Sequence, residues 1–175
     1  MSATTDTIPT LPVSGTLADE RDFEVTFRPL MPELFNYLRR RAQSAEDAAD
    51  CLSETLEVLW RKRSRLPDDS EGRRKWAFGV AHKVAQAHQR RSHRRSVLDD
   101  VLRDQFLDTS PAADDGIHDL LNVLNDRDRE LVELVVLDGF PIVEAASILG
   151  LRAGAARMRY SRARAHLRSA IEDAP

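Results

Sequence analysis

Residues Leu124–Arg168 read LNDRDRELVELVVLDGFPIVEAASILGLRAGAARMRYSRARAHLR. Pro141 suits the first position of a helix, where its fixed φ fits and its missing N–H would be unpaired anyway. That helix runs through Ala145, Ala146 and Leu149 and breaks at Gly150. A second helix follows, with Arg152, Arg157, Arg159, Arg162, Arg164 and Arg168 and no acidic residue among them. Two helices, a glycine turn and a basic second helix are the parts of a helix-turn-helix that enters a DNA major groove. At about 100° per residue, Ala156, Tyr160, Ala163, Leu167 and Ile171 share one face. Arg157, Ser161, Arg164 and Arg168 form the adjacent stripe, with Met158 and Arg162 further round. One side is expected to pack on earlier helices while the other meets phosphates and base edges.

Working outward, this unit belongs to a four-helix module of about 116–173, with helices at Ile117–Leu124, Asp126–Asp138, Pro141–Leu149 and Ala153–Asp173. Asn125 or Asp126 can cap the second of these, and Gly139 ends it. The N-terminal side also reads as helical, because alternating strand patterns are absent and Ala, Leu, Arg and Glu dominate. A first region spans about Leu17–Ala42, interrupted by Pro29 and Pro32, with Phe23, Phe27, Leu30, Leu34, Phe35 and Leu38 on its buried side. A second helix starts after Ser44, where Ser44 and Asp47 resemble a capping box. It ends near Arg65, with Ala48, Leu52, Thr55, Leu56 and Leu59 inward. A third spans about Arg74–Arg95 after the loop Leu66–Arg73. Trp76, Val80, Val84 and Ala87 face inward there, and Lys75, His82, Gln86, Gln89, Arg90 and His93 form an outer stripe.

The predicted fold class is therefore all-α, with two small helical domains. A tail (1–18) rich in Thr, Pro and Ser precedes the first domain (19–95). A flexible acidic linker (96–115) joins it to the helix-turn-helix domain (116–173). The tail has neither a basic start nor a continuous apolar core, so it is not read as a secretion signal. No apolar run reaches the roughly 20 residues that span a bilayer, so no membrane insertion is expected and the cytoplasm is the simplest compartment. The single cysteine, Cys51, excludes an internal disulfide and a cysteine-cluster zinc site.

The net charge of −3 hides segregation. From Arg61 to Arg95 twelve Lys/Arg face three acids, a balance of +9, and from Ser96 to Asp138 three Arg face twelve acids, a balance of −9. Two cationic surfaces divided by an anionic connector suggest two polyanion sites. On the second helix, Asp47, Asp50, Glu54, Glu57 and Arg61 share a stripe. Its stacked acids repel one another unless a cationic partner relieves them.

The order and spacing of three stretches resemble extracytoplasmic-function (ECF) sigma factors, over about Phe23–Arg95 and Ile117–Ile171. AEDAADCLSETLEVLW (Ala45–Trp60) is similar to the helix that docks on the clamp helices of the polymerase largest subunit. The family pattern is Asp, two residues, then Gln-Glu. Here it reads Asp50, Cys51, Leu52, Ser53, Glu54, with Ser53 in place of Gln. The resemblance assigns core-polymerase binding to Asp47, Asp50, Ser53, Glu54, Glu57 and Arg61. RRKWAFGVAHKVAQAHQRR (Arg73–Arg91) is similar to the helix that reads the −10 element and helps open the duplex. It implies −10 contacts from Arg73, Arg74, Lys75, His82, Lys83, Gln86, Gln89, Arg90 and Arg91. His82, Lys83 and Ala87 stand where the family usually has Arg, Asn and Asp. The helix-turn-helix is similar to the −35 reader, implying contacts from Arg152, Gly154, Arg157, Met158, Ser161, Arg162 and Arg164. Ala155 and Met158 replace a common Thr and Ser.

The resemblance implies core RNA polymerase (clamp helices and flap) and promoter DNA as partners, with an anti-sigma factor often holding such proteins inactive. In the family the connector threads toward the active centre, and Asp99, Asp100, Asp104 and Asp108 would imitate nucleic-acid charge there. Arg157 and Arg162 are the candidates for base-edge readout, since arginine can grip guanine through two bonds. The rival reading is a stand-alone helix-turn-helix regulator binding as a dimer to a palindrome. An enzyme is not expected. His82, His88, His93, His118 and His166 lack metal-ligand spacing, and neither a nucleophile elbow nor a phosphate loop appears. No cofactor and no metal are expected.

Overall fold

The structure, a computed structural model, describes residues 20–99 and 120–172. The expectations for the tail, for most of the acidic linker and for Ile117 and His118 lie outside the described residues, as do the side chains of His93, Arg94 and Arg95. Among the described residues the regular elements are helices. They are α1 (Glu20–Phe27), α2 (Met31–Arg39), α3 (Ala45–Arg61), α4 (Ser70–Asp99), α5 (Asp126–Val136), α6 (Ile142–Ile148) and α7 (Ala153–Glu172), with 3-10 turns at Arg28–Leu30 and Arg63–Arg65.

Local chemistry sets the boundaries. Pro29 and Pro32 divide the first region as expected: a 3-10 turn separates α1 from α2, because proline fits only the first turn of each piece. Ser44 caps α3, its Oγ accepting the Asp47 N–H at 3.0 Å. The Ser44 hydroxyl also donates to the Asp47 carboxylate at 2.9 Å, so the acid holds the cap by its side chain instead of reaching back to the backbone. α4 begins at Ser70, four residues before the expected start. The Asp69 carboxylate accepts the Gly72 N–H at 2.6 Å and its carbonyl accepts the Arg73 N–H at 3.0 Å, which pulls part of the expected loop into the helix. Asn125 caps α5 through the Asp128 N–H at 3.1 Å. Gly139 and Gly150 take φ of +69° and +67° to end α5 and α6, a conformation L side chains avoid.

Packing brings the two modules together. Phe27, Leu34, Tyr37, Leu38, Ala48, Cys51, Leu59, Ala77, Phe78 and Ala81 share one apolar core with Leu131, Leu134, Phe140, Ala145, Ala146, Ile148 and Ala156 of the second module. Its bridge is Phe78 of α4, edge-on to Tyr37 at 5.2 Å and to Phe140 at 4.8 Å. Burying an aromatic ring of this kind stabilises by about 1.5–3 kcal/mol. A second cluster of Leu121, Leu124, Val132 and Ala163 lies beneath α7. Ile171, expected on the buried face of α7, is 58% exposed, one turn beyond Leu167, which still packs on that cluster.

Candidate nucleic-acid interface

α7 is the second helix of the turn. Ala156 and Ala163 are buried, and Tyr160 and Leu167 pack partly beside them. The small alanines let the helix lie close to α5 and α6, which fixes the angle at which its other side is presented. Arg152, Gly154, Arg157, Met158, Ser161, Arg162 and Arg164 all stand exposed. Arg159 does not join them: its Nη1 donates to Asp128 at 3.1 Å, so it ties α7 to the start of α5. No carboxylate among the described residues pairs with Arg157, Arg162 or Arg164. The turn itself is held by Leu151 N–H on Ala146 carbonyl at 2.8 Å.

α4 behaves differently. Arg73 Nε donates to the Pro67 carbonyl at 2.8 Å. Arg74 donates to Glu33 at 2.8 Å and to the Asp138 carbonyl at 2.5 Å, with its guanidinium 4.0 Å over the Phe140 ring. Lys75 lies 3.8 Å from Glu144. Gln89 donates to the Arg41 carbonyl at 3.1 Å and Arg91 to Glu54 at 2.9 Å. Lys83 is exposed, at the edge of a groove of about 610 Å³ that Val58, Trp76, Val80 and Ile148 help to line.

His82 corrects the sequence reading: it is buried, with 5% exposure, and is not on the outer stripe. Its ring nitrogens face Tyr37 Oη at 3.2 Å and Gln86 Nε2 at 3.0 Å. Burial first, then the charges of Arg41 and Lys83, holds its pKa down to about 4, so the ring is neutral near pH 7. Burial likewise raises the Tyr37 phenol above its usual range. In this structure His82 positions Gln86 and Tyr37 and has no open face toward a ligand.

The acidic stripe of α3 lies next to α4. Asp47 sits 3.2 Å from His88 Nε2, and Glu54 takes the Arg91 contact. Asp50 is exposed, Ser53 donates to the Ala49 carbonyl at 3.0 Å, and Glu57 and Arg61 form an exposed i,i+4 pair at 3.7 Å. Beneath the stripe Cys51 is buried, and burial, then Glu54 and Asp47, raises its thiol pKa. That is the small core thiol the sequence suggested.

Sequence reasoning missed Arg40, Arg41, Glu133 and Asp138. Glu133 carried a signal: it interrupts the apolar run Leu131–Val136 yet is only 3% exposed, and a buried acid needs a cation.

These features define a two-module helical protein whose second module presents an arginine-lined helix-turn-helix face. Comparison with known proteins agrees. The chain matches the family sigma-70 region 2 over residues 26–95 and the family sigma-70, region 4 over residues 114–167. The ECF RNA polymerase sigma factor SigF of Caulobacter vibrioides is 32% identical over 132 residues, which is 73% of this chain and 72% of that protein. The sigma factor RpoE of Bartonella quintana, solved with the anti-sigma factor NepR, has the same fold: TM-score 0.71 and 24% identity over 89% of this chain and 99% of that one. CnrH, solved with the cytosolic domain of CnrY, gives 0.64 and 22% over 90% and 92%. The chain belongs to the ECF sigma factors, and it is an RNA polymerase sigma factor for transcription initiation.

Proposed function

We propose that this chain, acting in the cytoplasm, binds core RNA polymerase and selects promoters by holding two elements at once. The exposed side of α3 (Asp50, Ser53, Glu54, Glu57 and Arg61, with Asp47 at its N-terminal end) docks on the clamp helices, and the second module docks on the flap. α4 and the loop before it hold the −10 element through Arg73, Arg74, Lys75, Lys83, Gln86, Gln89, Arg90 and Arg91. α7 holds the −35 duplex, with Arg157 and Arg162 reading base edges and Arg152, Gly154, Met158, Ser161 and Arg164 fixing its register. An anti-sigma factor, as in the solved complex of RpoE with NepR, is the remaining partner. No catalytic role is assigned to any residue.

One observation carries this reading: Arg157, Arg162 and Arg164 of α7 stand exposed without a carboxylate among the described residues to neutralise them. Cationic side chains held in a row by a packed helix attract phosphate, and the affinity falls steeply with salt. The test is transcription in vitro from a genomic DNA library with core polymerase, with and without the full chain. Discrete new start sites sharing two spaced elements are expected. Duplex binding by the chain as a symmetric pair, with no start-site selection, would overturn the reading.

A further inference from the structure

α4 carries a glycine well inside the helix that the packing of the chain does not call for. Glycine is the poorest helix former apart from proline, because it gives up the most backbone freedom. Inside a helix it therefore marks a place where something must come close to the backbone. Gly72, at the start of α4, has such a neighbour: a Cβ there would lie 2.7 Å from Pro67 and from the Asp69 carboxylate. Gly79 has none. Beyond its chain neighbours and the helix backbone, a Cβ at Gly79 would meet nothing within 4 Å.

This bare patch opens on the groove of about 610 Å³ between α3 and α4. Val58, Trp76, Val80 and Val84 give the groove apolar walls, and Lys62, Lys75 and Lys83 line it as cations. Its one acid, Glu54, is taken by Arg91 at 2.9 Å. Lys75 lies 3.8 Å from Glu144, whereas Lys62 and Lys83 meet no acid among the described residues. Apolar walls suit a flat ring better than a hydrated anion, and cations at the edge suit the phosphates attached to that ring. A single unstacked nucleobase on its backbone has both properties.

Lys83 stands one turn after Gly79, about 6 Å along the helix axis. Helical side chains lean toward the N-terminus of the helix, so Lys83 leans toward the bare patch. Its ammonium can donate hydrogen bonds and accepts none. Guanine offers it two adjacent acceptors on one edge, O6 and N7. Thymine offers one carbonyl beside a methyl group, adenine pairs its N7 with an amino group, and cytosine turns an amino group outward. An ammonium at this place therefore favours guanine and rejects the amino-bearing edges.

We propose that the backbone of α4 at Gly79 seats one unstacked base of the −10 strand, and that Lys83 selects guanine there through O6 and N7. This seat deepens the −10 reading proposed above and stands only with it.

The experiment is transcription by core polymerase and the full chain from promoters randomised across the −10 region, with the transcribed templates sequenced. Wild type, Lys83→Gln and Gly79→Leu are compared, each checked for helix content and urea midpoint. Wild type should favour guanine over adenine at one −10 position by about 5- to 150-fold. Glutamine pairs with N6 and N7 of adenine, so Lys83→Gln should turn the preference at that position alone toward adenine. Gly79→Leu should keep or raise the urea midpoint, since leucine favours a helix and has room there, yet transcript should fall several-fold because the seat is filled. No guanine preference at any −10 position in wild type overturns the selection. So does a Lys83→Gln loss spread evenly over all bases, which would make Lys83 a phosphate contact. A folded Gly79→Leu with undiminished transcript overturns the seat. If Gly79→Leu loses helix, Gly79→Ala is read in the same way. Loss of start-site selection by wild type itself would strike the two-element reading and the seat with it, whereas selection that persists without these effects strikes the seat alone.

Discussion

On α7, Arg157, Arg162 and Arg164 stand in solvent, whereas on α4, Arg74, Lys75 and Arg91 each meet a carboxylate of a neighbouring element. Both helices read as cationic surfaces in sequence. The difference is where each lies in the fold. α7 is a margin of the second module, with little behind it besides α5 and α6. α4 packs on α2, α3 and α6, so its polar side chains lie within reach of acids from three directions. A basic helix is open to a polyanion only to the extent that the fold has not already supplied the counter-charge.

The comparison is tested most severely at paired positions on the two helices. Phe78 on α4 is wholly buried between Tyr37 and Phe140, whereas Met158 on α7 is 59% exposed. Phe78→Ala should lower unfolding stability by about 3–5 kcal/mol, because it removes a large core side chain and leaves a cavity. Met158→Ala should stay within about 0.5 kcal/mol. Urea unfolding of both variants reads the contrast directly, and similar losses would mean that α7 is buttressed as deeply as α4.

Arg162→Ala reverses the order of effects. The side chain is exposed and holds nothing together, so stability should not move. If it grips a base edge, its loss costs about 1–3 kcal/mol of discrimination at one position. Transcription from promoters with an intact −35 element should then fall about 5- to 150-fold, while polymerase pull-down stays as it was. A parallel loss of pull-down would show that α7 serves the polymerase and not the duplex.

The two helices also differ in how much of them could be read beforehand. The turn at Gly150, the cap at Ser44 and the alanine face of α7 depend on residues a few positions apart, and local periodicity exposes such features. α4 has no single apolar stripe along its full length. Phe78 lies between Tyr37 of α2 and Phe140 of the second module, whereas Val80 and Val84 line a groove with Val58 of α3. The helical period alone placed Trp76 inward, where it is only partly buried, and His82 outward, where it is buried. Tyr37 and Glu130, which cover His82, lie 45 and 48 positions away in the chain, beyond any pattern in the sequence of α4. For the same reason the Arg40–Asp138 contact, 98 residues apart, left no mark in the sequence, and only its neighbour Glu133 stood out as a lone acid in an apolar run. The exposed arginines of α7 were legible because exposure needs no partner.

His82 makes this buried side of α4 measurable by pH. Burial, with Arg41 and Lys83, holds its folded pKa to about 4, against an ordinary value of 6.5. Between those values the unfolded chain binds the extra proton, so the contribution is fully present above about 6.5 and declines as pH falls toward 4. The loss from pH 7 to pH 5 should be about 2 kcal/mol. Tyr37, Gln86 and Glu130 also face the ring. His82→Gln should therefore lower stability at pH 7 but flatten its fall on acidification. Identical profiles for wild type and His82→Gln would mean that the ring is solvated in solution.

The smallest effect on folding tests the outer face of α3, which lies between these extremes. Asp47 and Glu54 are engaged by α4, whereas Glu57 and Arg61 pair with each other, with 65% and 63% of their side chains exposed. An exposed i,i+4 pair contributes about 0.2–0.5 kcal/mol and weakens further in salt. Glu57→Lys should therefore change the urea midpoint by little more than the error of measurement. If the outer side of α3 is the polymerase-facing surface, the same substitution replaces an attraction with a repulsion where charges become partly desolvated. Core polymerase affinity should then fall several-fold, an effect larger than the one on folding. Unchanged affinity would confine docking to the part of the stripe before Glu57, where Asp50 is exposed and the carboxylates of Asp47 and Glu54 are already shared with α4.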